Sequence, residues 1–370
     1  MLTALINATI FSGDTKSEGR SVLIENGLIL AVTGPDDVPA DAQIIDLGGH
    51  SIAPGLIDLQ IYGSGGELFG GKPTVEALAQ MESDLFKQGT TGFLATVATN
   101  SPEIVEQAIS AAKAFRSNSK GNFLGLHLEG PYLNSKRKGA HPEKFIKKAT
   151  VSELKRWVDA AEGEIRIMTI APELQDQEVL DYLAAENIVI SAGHSNASYQ
   201  EGLSFFGDKV TAATHLFNAM PPLHHREPGL VAAIFRQKPF TSIIADGIHV
   251  SYPMIEIAKR QLADKLFLIT DAVTATSEGI YPHILNGDRY VMPDGTLSGS
   301  NLSMWQAVKN CVSFAGIELE EAIRMASAYP AAAISRQHEL GYIKPGYKAN
   351  LIIFDEQLNL KTSLMEGLTS

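Results

Sequence analysis

Polar side chains with metal-binding chemistry stand at the ends of several apolar runs. Glu129 ends FLGLHLE, His194 follows IVISAG, and His215 follows TAAT. Two imidazoles and one carboxylate form the ligand set of a catalytic zinc-type site, whose fourth position stays open for a water. A metal lowers the pKa of that water toward neutrality and makes hydroxide available. Taken singly, each histidine could be a structural residue and Glu129 a helix cap, so spacing alone leaves both interpretations open.

A fourth side chain would complete a hydrolytic site. Asp271 ends LFLITD, and a carboxylate beside an activated water can take its proton and pass it to a leaving amine. A helix cap is the alternative role for Asp271. His127 precedes Glu129 by two residues and shares its strand face, which favours a supporting role over direct ligation. The other histidines lie in loop or helix contexts and are interpreted as solvated or structural: His50, His224, His225, His283 and His338.

A repeated alternation of apolar runs and helical stretches must position these groups. The runs cover residues 56–62, 92–98, 123–129, 165–171, 188–194, 210–216, 240–246 and 266–271. Strand–helix alternation predicts a parallel sheet, and about eight units over residues 52–329 match a (β/α)₈ TIM-type barrel. A doubly wound open sheet is the alternative. In a barrel the carboxyl ends of the strands share one face, so the polar residues would converge there.

The two ends of the chain have a different pattern. Residues 2–11, 21–25, 28–33 and 43–47 resemble β-strands, and Asn26-Gly27 predicts a hairpin turn. Residues 340–354 also resemble β-structure. We therefore predict a small β-sandwich domain built from residues 1–52 and 336–370, beside a barrel of residues 53–335.

Composition excludes some classes of function. The net charge of −12 argues against a broad nucleic-acid surface, so an anionic ligand would need a local basic pocket. No run of 18 apolar residues predicts a membrane span, and the first residues resemble a strand rather than a signal peptide. The single cysteine, Cys311, fits a reducing cytoplasm.

A series of motifs follows one order along almost the whole chain. They are APGLIDLQIYGSGG, HLEGPYL, GAHPE, SAGHSNASY, THLFNAMPPLHHREPG, ADGIHV, ITDA, GTLSGS and GYIKPGYKANLIIFD. Together they resemble the N-acetylglucosamine-6-phosphate deacetylase branch of the amidohydrolase superfamily. The resemblance implies hydrolysis of the acetamide of N-acetylglucosamine 6-phosphate. Its rivals are another amidohydrolase, acting on N-acetylgalactosamine 6-phosphate or a cyclic amide, and a non-catalytic scaffold with the same fold.

The resemblance also implies roles for individual residues. Glu129, His194 and His215 correspond to the metal ligands, Asp271 to the acid–base, and His141 to a group near the acetyl carbonyl. Substrate contacts are implied for Ala140, His141, Asn218, Ala219, Arg226, His249, Leu297, Ser298, Gly299 and Ser300. In this family the arginine comes from the neighbouring subunit, which implies a homodimer. A surface ion pair with Glu227 is the alternative role for Arg226.

The first run departs from two-metal amidohydrolases. Those have His-x-His there, whereas this sequence has Gln60 and Tyr62, which are poor replacements for imidazoles. We therefore predict one divalent cation per subunit, with Zn²⁺ preferred and Fe²⁺, Mn²⁺ or Co²⁺ as alternatives.

Overall fold

Strands from both ends of the chain build one small β-domain in the computed structural model, which describes residues 2–276 and 279–367. They are β1 (Leu2–Ser12), β2 (Thr15–Glu25), β3 (Leu28–Thr33), β4 (Gln43–Asp46), β5 (Ser51–Pro54), β19 (Leu351–Phe354) and β20 (Leu360–Leu364). The sheet order is β20-β19-β5-β1-β2-β3, with β4 paired to β1. Asn26 and Gly27, both with positive φ, make the predicted turn between β2 and β3.

The tail prediction was only partly right. The strand begins at Leu351 instead of at residue 340, and β20 was not predicted. Gly346 and Tyr347 do pair with Ile29, through hydrogen bonds of 2.8 Å in both directions. Pro345 offers no backbone N–H and Gly346 has a φ of 85°, so the turn residues of this stretch precede the apolar strand.

The central barrel confirms the predicted fold class. Its parallel strands are β6 (Leu56–Ile61), β9 (Thr90–Ala98), β10 (Phe123–Glu129), β11 (Ile165–Ile170), β12 (Val189–Ala192), β13 (Val210–Ala213), β14 (Phe240–Ile244) and β15 (Leu266–Ile269). Each falls within or overlaps one predicted run. The helices are α1 (Val75–Lys87), α2 (Pro102–Arg116), α3 (Val151–Ala161), α4 (Gln177–Ala185), α5 (Tyr199–Phe205), α6 (Gly229–Gln237), α7 (Tyr252–Leu262), α8 (Met304–Phe314), α9 (Leu319–Met325) and α10 (Ala328–Ala333).

Local sequence signals account for the helix boundaries. Thr74 caps α1 by accepting a hydrogen bond from the N–H of Ala77, and that helix buries the side chains Leu78, Met81 and Leu85. Ser198 and Glu201 form a capping box at the start of α5. These caps fix where each helix begins after its strand, so they also fix the length of the loops that carry the site.

The seam between the first and last barrel strands excludes the open-sheet alternative. The N–H of Asp271 donates to the carbonyl of Gln60 at 2.9 Å, and the N–H of Tyr62 donates to the carbonyl of Ala272 at 2.9 Å. The buried carboxylate of Asp58 accepts hydrogen bonds from both the N–H and the hydroxyl of Thr270. An open sheet would keep β6 and β15 apart, whereas these contacts join them.

Two excursions rise from the carboxyl ends of the strands. One is the short pair β7 (Gly63–Ser64) and β8 (Glu67–Leu68), which follows the first barrel strand. The other is a small sheet of β16 (Ile284–Asn286), β17 (Arg289–Val291) and β18 (Leu297–Ser300), between β15 and α8. Both excursions supply walls to the cavity described next.

Candidate active site

The predicted metal and acid–base residues converge at the carboxyl end of the barrel. Glu129 ends β10, whereas His194, His215 and Asp271 each lie two residues beyond their strands. All four line one cavity at this mouth of the barrel. Parallel strands bring residues far apart in sequence to this single face, as the barrel predicts.

One oxygen of Glu129 and the Nε2 atoms of His194 and His215 form a compact triangle. Its Oε1 lies 3.1 Å from His215 Nε2 and 3.4 Å from His194 Nε2, and the two nitrogens are 3.1 Å apart. A tetrahedral zinc with bonds of about 2.0–2.1 Å places its ligand atoms roughly 3.3 Å apart. The spacing of this donor set therefore fits a single small divalent cation.

The histidine orientations fit the same interpretation. His194 Nδ1 lies 2.8 Å from the carbonyl of Arg137, which can only accept, so Nδ1 carries the proton and Nε2 presents its lone pair to the site. His215 Nε2 faces the same point, and its Nδ1 has no hydrogen-bond partner among the described residues. Two nitrogen lone pairs facing each other at 3.1 Å repel unless a proton or a cation lies between them.

His141 meets the other oxygen of Glu129. Its Nε2 lies 3.2 Å from Glu129 Oε2, which also accepts a short hydrogen bond from the Tyr62 hydroxyl. The backbone N–H of Thr99 donates to His141 Nδ1 at 3.3 Å, so the neutral ring carries its proton on Nε2. Ligand atoms of Glu129, His141 and His194 lie within 4.8 Å of one another, but this tautomer makes His141 a donor rather than a ligand.

The side chain of Gln60 joins Asp271 to Glu129, the carboxylate of the candidate metal site. The Gln60 amide donates to Asp271 Oδ1 at 2.8 Å and lies 3.0 Å from Glu129 Oε1. Burial raises the pKa of the Asp271 carboxyl, and the charge of Glu129 adds to this effect. A carboxyl with a raised pKa is suited to exchange protons near neutral pH.

The pKa values of Glu129, His194 and His215 are shifted by burial and by their contacts with one another. Burial acts to raise the pKa of Glu129, but when the histidines are protonated, the charge of His194 and hydrogen bonds from three histidines hold it well below its usual range. Burial lowers the pKa of His194, whereas at His215 the hydrogen bond and charge of Glu129 outweigh burial and raise it. An ionised carboxylate next to imidazole is the combination that binds a divalent cation.

Both ring nitrogens of His127 have hydrogen-bond partners beneath this cluster. Its Nδ1 lies 2.9 Å from the carbonyl of Leu59, and its Nε2 lies 2.7 Å from the Thr169 hydroxyl. Burial lowers the pKa of His127 to about 4. Both ring nitrogens are thus occupied in a neutral imidazole, which agrees with the supporting role predicted for it.

Backbone strain is concentrated at the site. His194, His215 and Asp271 have φ values of 46°, 33° and 55°. Side chains other than glycine pay of order 1 kcal/mol or more for this left-handed conformation. Such strain persists where surrounding contacts over-determine the backbone, and here it turns all three side chains from the strand ends into the same cavity.

Most of the implied substrate contacts also line the cavity. They are Ala140, His141, Asn218, Ala219, His249, Leu297, Ser298 and Gly299. Ser300 lies outside this lining because its hydroxyl donates to the carbonyl of Thr270 at 2.6 Å. Arg226 is exposed and lies outside the lining too, and no ion pair joins it to Glu227 in the described part of the chain. Neither side chain lines this cavity of its own chain.

His249 is held by a buried carboxylate. Its Nδ1 lies 2.6 Å from Asp246 Oδ2, and both side chains are less than a tenth exposed. The other oxygen of Asp246 accepts from the N–H groups of Ile248 and His249. This pair fixes the His249 ring with Nε2 available to the cavity.

The structure adds cavity residues that sequence reasoning missed. His283, interpreted from the sequence as solvated or structural, lines the cavity and is 6% exposed. It stacks on Tyr281 with ring centroids 5.9 Å apart, and its Nδ1 lies 3.0 Å from the Ser298 hydroxyl. No strand-end position marked these residues, because they lie in the excursion between β15 and α8. Among the described residues that line the cavity, none is lysine or arginine.

A parallel barrel with this Glu–His–His cluster and a buried aspartate at its carboxyl mouth has the architecture of a metal-dependent hydrolase. The Amidohydrolase family model matches residues 51–369, and a model described as the NagA composite domain matches residues 2–52. The chain therefore belongs to the amidohydrolase family.

Similar proteins show which enzymes of the amidohydrolase family this chain resembles. An N-acetylglucosamine-6-phosphate deacetylase of Haemophilus influenzae is 34% identical over 99% of both chains. The crystal structure of that enzyme from Pasteurella multocida has a TM-score of 0.94, with 34% identity over 100% of both chains. An Asp→Ala mutant from Mycobacterium smegmatis, in complex with N-acetyl-D-glucosamine-6-phosphate, has a TM-score of 0.91 at 28% identity and covers 100% of this chain and 99% of its own. The resemblance inferred from the motifs is thus confirmed.

None of the described helices has both the length and the apolar character needed to cross a bilayer.

Proposed function

We propose that this enzyme hydrolyses the acetamide of N-acetyl-D-glucosamine 6-phosphate to D-glucosamine 6-phosphate and acetate, as a cytoplasmic step of amino-sugar breakdown. The observation that carries the proposal is the triangle of Glu129, His194 and His215, with Asp271 joined to it through Gln60. That set provides a cation site and an acid–base group in one cavity. The named activity of the relatives supplies the substrate.

One divalent cation would be held by Glu129, His194 and His215, with Zn²⁺ preferred and Fe²⁺, Mn²⁺ or Co²⁺ as alternatives. When bound, the cation polarises the scissile carbonyl and brings the pKa of the attacking water toward about 7. A second cation on the side of β6 is disfavoured because the Gln60 amide and the Tyr62 hydroxyl both direct hydrogens at Glu129.

Asp271 moves the proton in this mechanism. Its Oδ1 already accepts from Gln60, so Oδ2 is the atom that takes the proton of the attacking water. The same atom then returns the proton to the amine as the tetrahedral intermediate collapses. The raised pKa of Asp271 makes both transfers accessible near neutral pH.

His141 stabilises the negative oxygen that develops on the acetyl carbon. With its proton on Nε2, the ring is a neutral donor. In the free enzyme this proton points at Glu129 Oε2, 3.2 Å away, and with substrate bound it would turn to the acetyl oxygen. A donor held close to the oxygen where negative charge develops stabilises the transition state more than the ground state.

We expect a second subunit to supply the positive charge that binds the phosphate group of the substrate. The cavity wall carries no lysine or arginine among its described residues, although a phosphate dianion calls for one. Asn218, Ala219, His249 and the loop of residues 297–300 would hold the sugar phosphate. Arg226, exposed on its own chain, would reach the neighbouring site of a homodimer.

The experiment is acetate release by purified, metal-quantified enzyme. It compares N-acetylglucosamine 6-phosphate, N-acetylgalactosamine 6-phosphate and unphosphorylated N-acetylglucosamine. The proposal expects the glucosamine phosphate to have the highest kcat/KM. Preference for the galactosamine epimer would support the rival deacetylase, and release from neither phosphate by metal-loaded protein would refute the proposal and favour a scaffold.

Asp271→Asn tests the acid–base assignment in the same assay. It should lower kcat by about 10²–10⁴-fold, the usual contribution of a general acid–base, while bound metal is retained. Asp264→Asn is the matched control, because Asp264 is an exposed aspartate just before β15. Near-normal turnover of Asp271→Asn would reject the assignment.

Complementation between two variants tests whether Arg226 acts in the active site of the neighbouring subunit. Arg226→Ala and Asp271→Asn variants are each expected to be impaired, but a mixed dimer contains one site with both wild-type residues. Activity that returns on mixing and subunit exchange supports the proposal, whereas a mixture no more active than its parts would contradict it.

A further inference from the structure

Tyr281 links the excursion between β15 and α8 to the wall of the barrel. Its hydroxyl donates to the carbonyl of Thr99 at 2.6 Å, across 182 positions of the sequence. Tyr281 is 6% exposed and lines the active-site cavity, so this hydrogen bond is shielded from competing water. Thr99 directly follows the strand β9.

Thr99 in turn contacts two residues of the proposed mechanism. Its N–H donates to His141 Nδ1 at 3.3 Å, and its hydroxyl donates to the carbonyl of Glu129 at 3.3 Å. The hydrogen bond to Nδ1 selects the neutral tautomer with the proton on Nε2. A small rotation of the peptide at Thr99 would lengthen this bond and release the His141 ring.

The Tyr281 ring makes a second contact with the same histidine. It lies edge-on to the His141 ring, with centroids 6.3 Å apart and planes at 83°. His283 stacks on Tyr281 at 5.9 Å with planes 9° apart. The aromatic packing limits movement of Tyr281, so its hydroxyl and its ring both restrict His141.

We propose that Tyr281 is a positioning residue, which acts through the carbonyl and N–H of Thr99 to hold the His141 ring at the site in the tautomer that carries its proton on Nε2, so that this proton is available to the reacting carbonyl. The role of His141 rests on the proposed function. The hydrogen-bond relay from Tyr281 to Thr99 to His141 is a property of the protein alone and is testable without turnover.

The kinetic test uses Tyr281→Phe, which keeps the ring and removes the donor. Loss of one buried neutral hydrogen bond should lower kcat about fivefold to tenfold, and KM should change less than about twofold because His141 acts mainly in the transition state. Metal content should be unchanged. Tyr290→Phe is the matched control, because Tyr290 packs edge-on against His283 in the same excursion and should retain wild-type kinetics.

A second readout uses metal-free protein labelled with ¹⁵N-histidine, with the His141 resonances assigned by their loss in His141→Gln. Wild type should show a protonated Nε2 and an unprotonated Nδ1, and Tyr281→Phe should shift His141 toward a tautomer mixture. A proton on Nδ1 of wild-type His141 would overturn the relay, even where the variant does not fold. Wild-type kcat in a metal-loaded Tyr281→Phe variant would also overturn it. An inactive wild type with the expected tautomer would instead count against the proposed function alone.

Discussion

Replacing Asp58 with asparagine should remove a pH-dependent loss of stability from the barrel seam. Asp58 is fully buried on β6, where it accepts hydrogen bonds from the N–H groups of Gln60 and Thr270 and from the Thr270 hydroxyl. Burial raises its pKa from 3.8 to about 7, more than these hydrogen bonds lower it. Asparagine resembles the protonated acid: it keeps one acceptor oxygen and offers a donor to the Thr270 hydroxyl.

The direction and size of this stability change follow from the difference in the pKa of Asp58 between the folded and unfolded protein. Because folded Asp58 holds its proton more tightly than the unfolded chain, its stabilising contribution is complete below pH 4 and is lost as the pH rises through about 7. A rise of about three pKa units corresponds to about 4 kcal/mol in total, of which about 2–3 kcal/mol falls between pH 5 and pH 8. Asp58→Asn does not ionise, so the wild type should lose this amount relative to the variant.

The assay is guanidinium unfolding of chelator-treated protein from pH 5 to pH 8, followed by circular dichroism and tryptophan fluorescence. The difference in unfolding free energy between wild type and Asp58→Asn should change steadily in favour of the variant as the pH rises. Asp264→Asn, at an exposed aspartate, should follow the wild type. Parallel stability curves for wild type and Asp58→Asn would refute the argument that burial keeps this carboxyl protonated.

Three further perturbations address the site. Asp246→Asn should raise KM for the sugar phosphate about tenfold, because His249 loses its buried carboxylate partner, and unchanged steady-state kinetics would contradict this. Chelation should abolish acetate release and lower the melting temperature, with both restored by Zn²⁺; full activity in demonstrably metal-free protein would contradict a metal site. Gln60→Leu should lower kcat at least about tenfold, since two buried carboxylates lose an amide donor. Gln175→Leu removes an amide that donates only to backbone carbonyls and should leave kcat unchanged; an equal effect of both would contradict a specific role for Gln60.

The barrel and its central residues were predictable because they rest on strong, local signals. Strands buried on both faces must be apolar throughout, so each barrel strand appears in the sequence as a short apolar run. A charged or imidazole side chain at the end of such a run is conspicuous. Glu129, His194, His215 and Asp271 stood out for that reason, and parallel topology was enough to bring them together.

The rest of the site depends on contacts that no local pattern encodes. The left-handed backbone at His194, His215 and Asp271 is imposed by tertiary contacts, and non-glycine residues disfavour it. Tyr281 and His283 reach the cavity from an irregular excursion, where neither period 2 nor period 3.6 marks an inward face. Arg226 is exposed and lies outside the cavity lining, so no local pattern in its own chain relates it to the site.

The first barrel strand explains why the metal-binding cluster and the acid–base residue form one unit. Asp58, Gln60 and Tyr62 alternate along the chain, so all three face the barrel interior. Asp58 binds the backbone immediately before Asp271, Gln60 contacts both Asp271 and Glu129, and Tyr62 donates to Glu129. These contacts tie Glu129, Thr270 and Asp271 to one short segment of the chain. In the proposed mechanism, Gln60 and Tyr62 therefore do more than stand where two-metal relatives have imidazoles: they also fix the distance between Glu129 and Asp271.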